Sequence, residues 1–528
     1  MKWLLSNIFF ILAEILYPKF LINNLRSISL IKNSLKKLRY HFHTSNDQKC
    51  FFYGRTNFYQ ILFQLPLILV IKLKKYQLYV ILPEPKLWII FLYKKFGAKK
   101  ILTFNNIFFK IQHPETINYF NRLISTKKLV YRNIDFYNLL YSTELRKIKR
   151  GRLCFQSIDK KYLKKQISYL LHIVDRAFNL LEIHKPNKFF FEDRGYYPEG
   201  IFYEISIKKN IDVIEFHAGH RRGLQNFKRY NKKNKRIHPI AISKKDLNFI
   251  KNKISLNEAT NYVFSELKQC YSDGSWYDEV GTSKNKRSFT KSQFLNKFKL
   301  DKKKKICVLF NHILWDATFF WGDDIFADYQ DWLIQSVNFM KKQKDVNWII
   351  KCHPANVVKN FREKSNTFME EEILKKEFPN LPDHIKIINS KSNLSTFSLL
   401  QFIDCCVTVR GTIGIEAACF GIPVITAGTG RYEKFGFTIN SRNPKQYFEN
   451  LSMVKSLSRI NNTNAIYYAY AILFSKQLPI KKVNISFDKT KFSNLKVELN
   501  SYDTEISSDI KQISSWLSSK KEDLLVNK

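Results

Sequence analysis

The stretch Val409-Arg410-Gly411-Thr412-Ile413-Gly414-Ile415-Glu416-Ala417-Ala418 is the most informative part of the 528-residue sequence. It predicts a buried strand that runs through a glycine-containing turn into a short helix. The N–H groups and the positive end of such a helix point beyond the carboxyl edge of the sheet, where anions bind. The stretch therefore predicts an α/β fold with a phosphate site at this corner.

Five residues of this corner are candidates for contacts with a nucleotide. Gly411 and Gly414 would let the backbone approach a phosphate closely, because glycine has no Cβ atom. Thr412 could add a hydroxyl group, and Arg410 could add a charged contact. Glu416 would repel a phosphate that it faced, so we expect it to accept hydrogen bonds from ribose hydroxyls.

The second half contains further predicted strands, and two of them end on histidines. Its apolar runs lie at 306–310, 347–351, 385–388, 406–409 and 424–426. Asn311 and His312 follow the first run, and His353 with a proline follows the second. Ligands of open α/β sheets bind at the carboxyl ends of strands, so we expect these three residues to share the site at the glycine corner. His353 could instead be a structural residue of a turn.

The first half shows the same alternation of strands and helices. Apolar runs at 79–83, 188–193 and 212–217 alternate with helical patterns at 87–96 and 200–208. This is the βαβ arrangement of a parallel sheet.

Four side chains at the ends of these strands are candidates for an acid or base. Glu192 and Asp193 end one strand, His217 ends the next, and His220 follows it. Each could deprotonate an acceptor hydroxyl. Asp193 could equally cap the loop that leads into the following helix.

The net charge of +43 indicates that the partners of the protein are anionic. Such an excess favours nucleic acid, phospholipid headgroups or sugar nucleotides, although a solvated basic surface with no specific partner would give the same charge. The bases are dispersed and no nucleic-acid motif accompanies them, which disfavours nucleic acid. The eight cysteines form no C-x-x-C pair, and most lie in or beside apolar runs, which predicts buried free thiols rather than disulfides or a zinc site.

The length and patterning predict two domains and two flanking segments. Residues 1–40 form an apolar and basic segment, 41–285 an N-terminal α/β acceptor domain, 300–485 a C-terminal nucleotide-sugar-binding domain, and 486–528 a polar tail with a late helix that packs back. Residues 272–301 lack apolar periodicity and predict a surface or interdomain segment.

The N-terminal apolar run ends near Tyr17 and is shorter than a membrane-spanning helix requires. Basic residues follow it. The segment could therefore lie on an anionic membrane face, or it could be an ordinary first helix packed on the core.

Several motifs resemble the capsular polysaccharide biosynthesis and export family of GT-B glycosyltransferases. They are His-Pro at 353–354, the string at 411–417, Gly-x-Pro-Val-Ile at 421–425, Tyr432 with Gly436-Phe437, and more loosely Tyr-Pro-Glu-Gly at 197–200. The similarity extends over about residues 185–450. It implies two Rossmann-like domains that face a central cleft, an activated sugar bound by the C-terminal domain, and no metal requirement. Arg410 stands where the family pattern has Ser or Thr, which leaves the identity of the donor open.

The resemblance and the motifs together predict a metal-independent glycosyltransferase with no cofactor besides its nucleotide-sugar donor. The acceptor would be a capsular or lipid-linked polysaccharide on the cytoplasmic side of the membrane. The predicted donor-binding residues are Asn311, His312, His353, Arg410, Gly411, Thr412, Gly414 and Glu416. Asp193 or Glu192 is the predicted base, with His217 or His220 second.

Four alternatives remain open at this point. A sugar-nucleotide epimerase or a glycerol-phosphate transferase can share the same C-terminal string. A non-catalytic export factor could retain the fold, and a basic nucleic-acid-binding protein would account for the charge alone.

Overall fold

Two sheets organise the chain, one in each half. The computed structural model describes residues 16, 18–37, 47–84, 86–103, 111–277, 286–316, 319–362, 366–481, 483–488, 493–499 and 506–526. The strands in these ranges are β1 (Lys49–Tyr53), β2 (Gln77–Leu82), β3 (Lys100–Thr103), β4 (Val130–Tyr131), β5 (Ile134–Asp135), β6 (Lys188–Phe191), β7 (Asp212–Ala218), β8 (Leu224–Tyr230), β9 (Lys305–Phe310), β10 (Val346–Lys351), β11 (Ile385–Ile388), β12 (Cys405–Thr408), β13 (Val424–Thr426), β14 (Ile439–Asn440), β15 (Leu478–Pro479), β16 (Val483–Asp488) and β17 (Ser493–Leu499).

Helices connect most of these strands and cover the faces of the sheets. They are α1 (Lys19–Asn23), α2 (Leu25–Lys37), α3 (Phe58–Phe63), α4 (Leu65–Leu73), α5 (Leu87–Lys95), α6 (Thr116–Ser125), α7 (Tyr137–Ile148), α8 (Lys160–His184), α9 (Glu199–Lys208), α10 (Lys244–Lys251), α11 (Leu256–Asp273), α12 (Lys291–Phe298), α13 (Tyr329–Lys342), α14 (Ala355–Arg362), α15 (Met369–Glu377), α16 (Thr396–Leu399), α17 (Thr412–Cys419), α18 (Pro444–Ser452), α19 (Thr463–Tyr470) and α20 (Ser508–Ser518). A 3₁₀ turn spans Phe155–Ser157, and a π-helical turn over Ala471–Ser475 continues α19.

The first sheet has the strand order β15-β8-β7-β6-β1-β2-β3, and the second has the order β11-β10-β9-β12-β13-β14. Strands β7 to β3 of the first sheet are parallel, and β8 and β15 form an antiparallel edge. All neighbours in the second sheet are parallel. The predicted α/β fold with two Rossmann-like halves is confirmed, and so are the predicted strands.

Alternation along the strands explains why both sheets are buried. In β9, Ile306 and Val308 pack into one core, whereas Cys307 and Leu309 pack into the core on the opposite face. Successive side chains of a strand point to opposite faces, so a strand that is covered on both sides is apolar at every position. The eight cysteines are free thiols, and all except Cys154 are buried, as predicted.

The core on one face of the second sheet extends beyond residues 300–485. The hydrophobic cluster that contains Ile306 also includes residues in or next to two earlier helices. These are Ile242 just before α10, Leu247 on α10, and Val263 and Leu267 on α11. Helix α11 also contacts α19. Both helices therefore stabilise the half that carries the glycine corner.

The predicted surface or interdomain segment 272–301 contains in its last part a helix with buried side chains, which the lack of apolar periodicity did not indicate. Helix α12 begins at a capping box, in which Thr290 and Gln293 satisfy each other's backbone N–H groups. Phe294 and Leu295 are buried. One cap and two apolar residues define this helix, which is too short for a periodic pattern. Residues 278–285 lie outside the described residues.

The two ends of the described chain pack on the first half. Strand β15 pairs with β8, and α20 packs on α4, where Trp516 stacks against the Arg229 guanidinium. Part of the predicted segment 1–40, namely 1–15, 17 and 38–40, lies outside the described residues. None of the helices in the described ranges combines the length and the hydropathy that a membrane span needs.

Candidate functional site

A cavity of about 400 Å³ lies at the carboxyl ends of the second sheet. The ends of β9, β10 and β12 and the start of α17 form one wall. Seven of the predicted donor-binding residues line this cavity: Asn311, His312, His353, Arg410, Gly411, Thr412 and Glu416. The opposite wall contains side chains that precede the second sheet in the sequence, among them His238, Tyr271 and Trp276.

Gly414 is the predicted donor-site residue that the cavity lining does not include. It faces the buried Tyr432, and a Cβ atom at position 414 would lie only 2.3 Å from the Tyr432 hydroxyl oxygen. That hydroxyl donates a 2.9 Å hydrogen bond to the Gly411 carbonyl. The absence of a side chain at Gly414 therefore leaves room for Tyr432 to stabilise the turn through its hydrogen bond to Gly411.

Glu416 lies in the second turn of α17 and is 3% exposed. Its carboxylate accepts a hydrogen bond from the Tyr271 hydroxyl. Burial raises the pKa of Glu416 to about 7, although the hydrogen bonds from Tyr271 and Thr412 oppose the shift. The side chain is consequently protonated in a large fraction of molecules near neutral pH, which weakens the repulsion expected between a carboxylate and a phosphate.

The two cavity histidines that follow strand ends, His312 and His353, are held neutral. The Val409 N–H donates to His312 Nε2, and burial lowers the pKa of His312 well below its usual value. Burial, together with Lys359 and Lys351, lowers the pKa of His353 to about 4. The Ala355 N–H donates to His353 Nδ1 at 3.2 Å, so the neutral ring carries its proton on Nε2. His353 can therefore donate one hydrogen bond from Nε2.

Four cationic side chains line the cavity, and two of them have carboxylate partners. Arg410 pairs with Asp324 at 2.5 Å, and Lys359 pairs with Asp316. Burial alone would raise the pKa of Asp316, yet Lys359 and Arg146 lower it to about 2. Asp316 is therefore ionised and balances part of the charge.

The other two cations, Lys351 and Arg431, form no ion pair with any residue that the structure describes. Lys351 is 7% exposed, and burial with the nearby Lys286 lowers its pKa to about 8. Arg431 is 9% exposed and donates through Nη1 to the Arg410 carbonyl. These two charges leave the cavity with an excess of positive charge.

Several buried donors of the cavity residues lack an acceptor within the described part of the chain. They are Asn311 Nδ2, Trp321 Nε1, Arg410 Nε and Arg431 Nε. A buried donor without an acceptor costs free energy, so such groups are normally found where a ligand or a water molecule accepts their hydrogen bonds. The cavity is thus rich in donors and cations and suits an anionic ligand with many oxygen atoms.

None of the four candidate bases lines the cavity. Glu192 pairs with Arg55 at 2.8 Å, and the two histidines contact glutamates: His217 with Glu215 at 2.9 Å, and His220 with Glu266 at 2.6 Å. Asp193 forms no ion pair within the described ranges and accepts from the Gly195 N–H at 3.1 Å.

A short chain of contacts joins the Asp193 loop to the cavity. Tyr196 in this loop donates to Asp316 at 3.0 Å, and the Arg146 guanidinium stacks on the Tyr196 ring. The Phe320 ring lies directly against Gly195, where any Cβ atom would collide with it. The two halves therefore meet beside the cavity through the loop that carries Asp193.

Several cavity residues were not predicted from the sequence. Lys351 could have been found, because it stands two positions before His353 at the same strand end. Arg431 and Trp321 lie in irregular loops outside any repeated pattern, so no local signal marks them. Tyr271 reaches Glu416 from a helix 145 positions earlier in the chain, a contact that no motif contains.

The fold and the cavity define an α/β protein with a candidate anion-binding site at the edge of a parallel sheet. The predicted resemblance is confirmed: the family model described as capsule polysaccharide biosynthesis protein matches residues 227–474. All residues that line the cavity lie within this matched region, and the four candidate bases precede it. A comparison with curated protein sequences finds no significant match.

The chain is similar to several solved structures at low identity. Two are KpsC proteins of Thermosulfurimonas dismutans. The beta Kdo 2,7 transferase shares 15% identity over 60% of this chain and 84% of its own, with a TM-score of 0.34. The beta Kdo 2,4 transferase shares 12% identity over 54% and 79%, with a TM-score of 0.32. The UDP-GlcNAc 2-epimerase of Neisseria meningitidis bound to UDP-GlcNAc shares 12% identity over 81% and 98%, with a TM-score of 0.28.

Proposed function

We propose that the protein is a glycosyltransferase of capsule polysaccharide biosynthesis that uses a nucleotide-activated sugar. The observation that carries this proposal is the charge of the cavity. Lys351 and Arg431 are buried and form no ion pair with a carboxylate among the described residues, and burying an unpaired charge is costly unless a ligand of opposite sign compensates it. The phosphate of a sugar nucleotide supplies that compensation.

The donor would bind along the carboxyl edge of the second sheet. The N-terminus of α17, with Gly411 and Thr412, would hold the phosphate, and His353 would donate a hydrogen bond to it. Lys351 and Arg431 would stabilise the negative charge that develops as the nucleotide departs. Glu416, in its protonated or ionised form, would contact the ribose.

We propose a metal-independent reaction, because Lys351 and Arg431 place positive charge beside a departing phosphate, and neither forms an ion pair within the described ranges. The acceptor would be a capsular or lipid-linked glycan that enters from the side of the first half, with the reaction on the cytoplasmic side of the membrane. Asp193 is the favoured base, because it is the candidate whose loop also reaches the cavity through Tyr196. Glu192, His217 and His220 are already engaged by charged partners.

The donor site can be tested by measuring the affinity of CMP-, UDP-, GDP- and CDP-linked sugars by thermal shift and calorimetry. We expect one class of donor to bind, and we expect Lys351→Met to weaken its binding by about tenfold or more. Methionine has a similar length and introduces no unpaired polar group, so the fold should be retained. Lys386→Met is the matched control, because Lys386 lies on β11 of the same sheet and outside the cavity lining.

Product analysis then tests the reaction. Transfer of the sugar to a glycan acceptor would support the proposal. Release of an epimerised sugar nucleotide without an acceptor would replace it with the epimerase alternative. Binding of no nucleotide sugar, or equal binding by the Lys351→Met variant, would contradict the assignment of the donor site.

A further inference from the structure

The N-terminal helices α1 and α2 present two different faces. Their inner face carries Leu21, Ile28, Ile31 and Leu35, which are buried in the core on one side of the first sheet. Their outer face carries aliphatic side chains that remain in solvent: Ile22 at 51%, Leu25 at 43% and Leu30 at 47% exposure. The inner face therefore attaches the helices to the fold, whereas these three side chains of the outer face stay largely exposed.

The charged residues of the helices themselves have a single sign. The sequence contains no acidic residue between Glu14 and Asp47, and the same interval contains six basic residues: Lys19, Arg26, Lys32, Lys36, Lys37 and Arg39. The side chains of Lys19 and Arg26 are exposed, and that of Lys32 is partly exposed. None of these three forms an ion pair with a residue in the described ranges.

We propose that the outer face of α1 and α2, defined by Lys19, Ile22, Leu25, Arg26, Leu30 and Lys32, docks on an anionic phospholipid surface. A helix at a bilayer interface inserts aliphatic side chains at the level of the headgroups, and the bases beside them reach outward to lipid phosphates. Each basic residue near such a surface adds attraction to anionic lipids.

Charge complementarity favours this occupant over a second copy of the chain. A second copy also carries a net charge of +43 and would repel this face. A face whose only charges are positive lacks the mixed signs that fix register at an interface between proteins. The proposal does not depend on the proposed glycosyltransferase activity, although a lipid-linked acceptor would be available at the same surface.

Sedimentation of the full chain with vesicles tests this proposal. We expect binding to phosphatidylcholine vesicles that contain about one third phosphatidylglycerol, little binding to pure phosphatidylcholine, and a loss of binding at high salt. We expect two triple variants each to lower the partition coefficient by about tenfold or more. The first replaces the aliphatic residues by serine (Ile22→Ser, Leu25→Ser and Leu30→Ser). The second replaces the basic residues by glutamine (Lys19→Gln, Arg26→Gln and Lys32→Gln).

Matched controls alter equally exposed side chains elsewhere. Ile183, Leu256 and Met453 are exposed aliphatic residues outside these helices, and their serine variants should bind vesicles as the unaltered chain does. Thermal unfolding and nucleotide affinity should stay unchanged in every variant, which separates a failure of docking from a failure of the fold or of the donor site. Equal binding to neutral and anionic vesicles, no binding to either, or undiminished binding by both triple variants would overturn the proposal.

Discussion

Lys351 carries a charge that forms no ion pair with any carboxylate in the described part of the chain. It is the last residue of β10 and stands two positions before His353, and the charged neighbour that lowers its pKa is Lys286. Burial and this neighbour lower its pKa to about 8. A phosphate beside Lys351 would favour the ammonium form and raise the pKa again.

Binding of a nucleotide sugar should therefore be coupled to proton uptake by Lys351. The protonated form binds an anion more tightly, so affinity should be highest below about pH 8 and should fall as the pH rises further. Calorimetry between about pH 8 and pH 9, in buffers of different ionisation enthalpy, should detect the uptake. The uptake should disappear in Lys351→Met. A proton count that is the same in both proteins would show that another group is responsible.

Glu416 should make the fold less stable as the pH rises. Its folded pKa of about 7 lies above its unfolded value, so the folded state binds more protons, and this contribution is complete at low pH. It is lost as the pH rises through about 7, by at most about 3 kcal/mol.

The variant Glu416→Gln isolates this effect, because glutamine keeps the shape and does not titrate. The difference in unfolding free energy between Glu416→Gln and the unaltered chain should favour the variant increasingly from about pH 5 to pH 8. Other buried carboxyl groups such as Glu199 and Glu370 titrate in both proteins and cancel in the difference. A difference that does not change with pH would contradict the burial of an ionisable Glu416.

At the scale of elements, the start of α17 depends on the close packing of Gly414 against Tyr432. We expect Gly414→Ala to lower stability by about 1–3 kcal/mol, because the new methyl group displaces the Tyr432 hydroxyl from the Gly411 carbonyl. Adding Tyr432→Phe should recover part of the loss. Thermal unfolding measures both effects.

Gly411→Ala is the control for this prediction. Gly411 has a φ of −64°, and the nearest atom to a Cβ there is Thr408 Oγ1 at 3.1 Å, so a small adjustment suffices. Its unfolding temperature should change much less than that of Gly414→Ala. Equal losses for the two alanine variants would mean that the contact with Tyr432 is not what requires a glycine.

The strands of both sheets could be predicted because strands buried on both faces are apolar along their whole length. Strand ends were predictable for the same reason, and they place His312, His353 and the glycine corner in one cavity. Short helices such as α12 were not predicted, because a capping motif marks them in the sequence rather than a periodic pattern of apolar residues.

The remaining walls of the cavity could not be predicted because they depend on contacts between distant parts of the chain. Tyr271 lies on α11, whose packing against α19 belongs to the core of the second half. Trp321 and Arg431 come from loops whose paths follow from tertiary packing. The exact base also stays a prediction, because the candidates lie outside the cavity lining.

At the scale of the whole molecule, the C-terminal tail joins the two halves through a buried charge cluster. Asp523 Oδ1 accepts from Lys228 of β8 at 3.0 Å and from Lys476 at 2.5 Å, and all three side chains are fully buried. Lys476 follows the π-helical turn after α19, whereas Lys228 belongs to the first sheet. The Asp523 carboxylate thus links the segment that follows α19 in the second half to strand β8 at the edge of the first sheet.

Removal of the Asp523 charge should destabilise this junction strongly. In Asp523→Asn, two buried ammonium groups would lose the carboxylate that they share, which should cost about 3–5 kcal/mol. The loss should appear as a lower denaturant midpoint and as earlier proteolysis after β15. Glu522→Gln is the control, because the Glu522 side chain is 31% exposed and its one ion pair among the described residues is with Lys228, so we expect a loss below about 1 kcal/mol.

A second variant distinguishes charge from packing at the same junction. Replacing Lys228 and Lys476 by methionine and Asp523 by leucine removes these three buried charges and keeps a similar volume, and such exchanges are often neutral or stabilising. The triple variant should recover most of the stability that Asp523→Asn loses. If Asp523→Asn unfolds like the unaltered chain, the carboxylate does not hold the tail, and the junction relies on the apolar contacts of α20 with α4 instead.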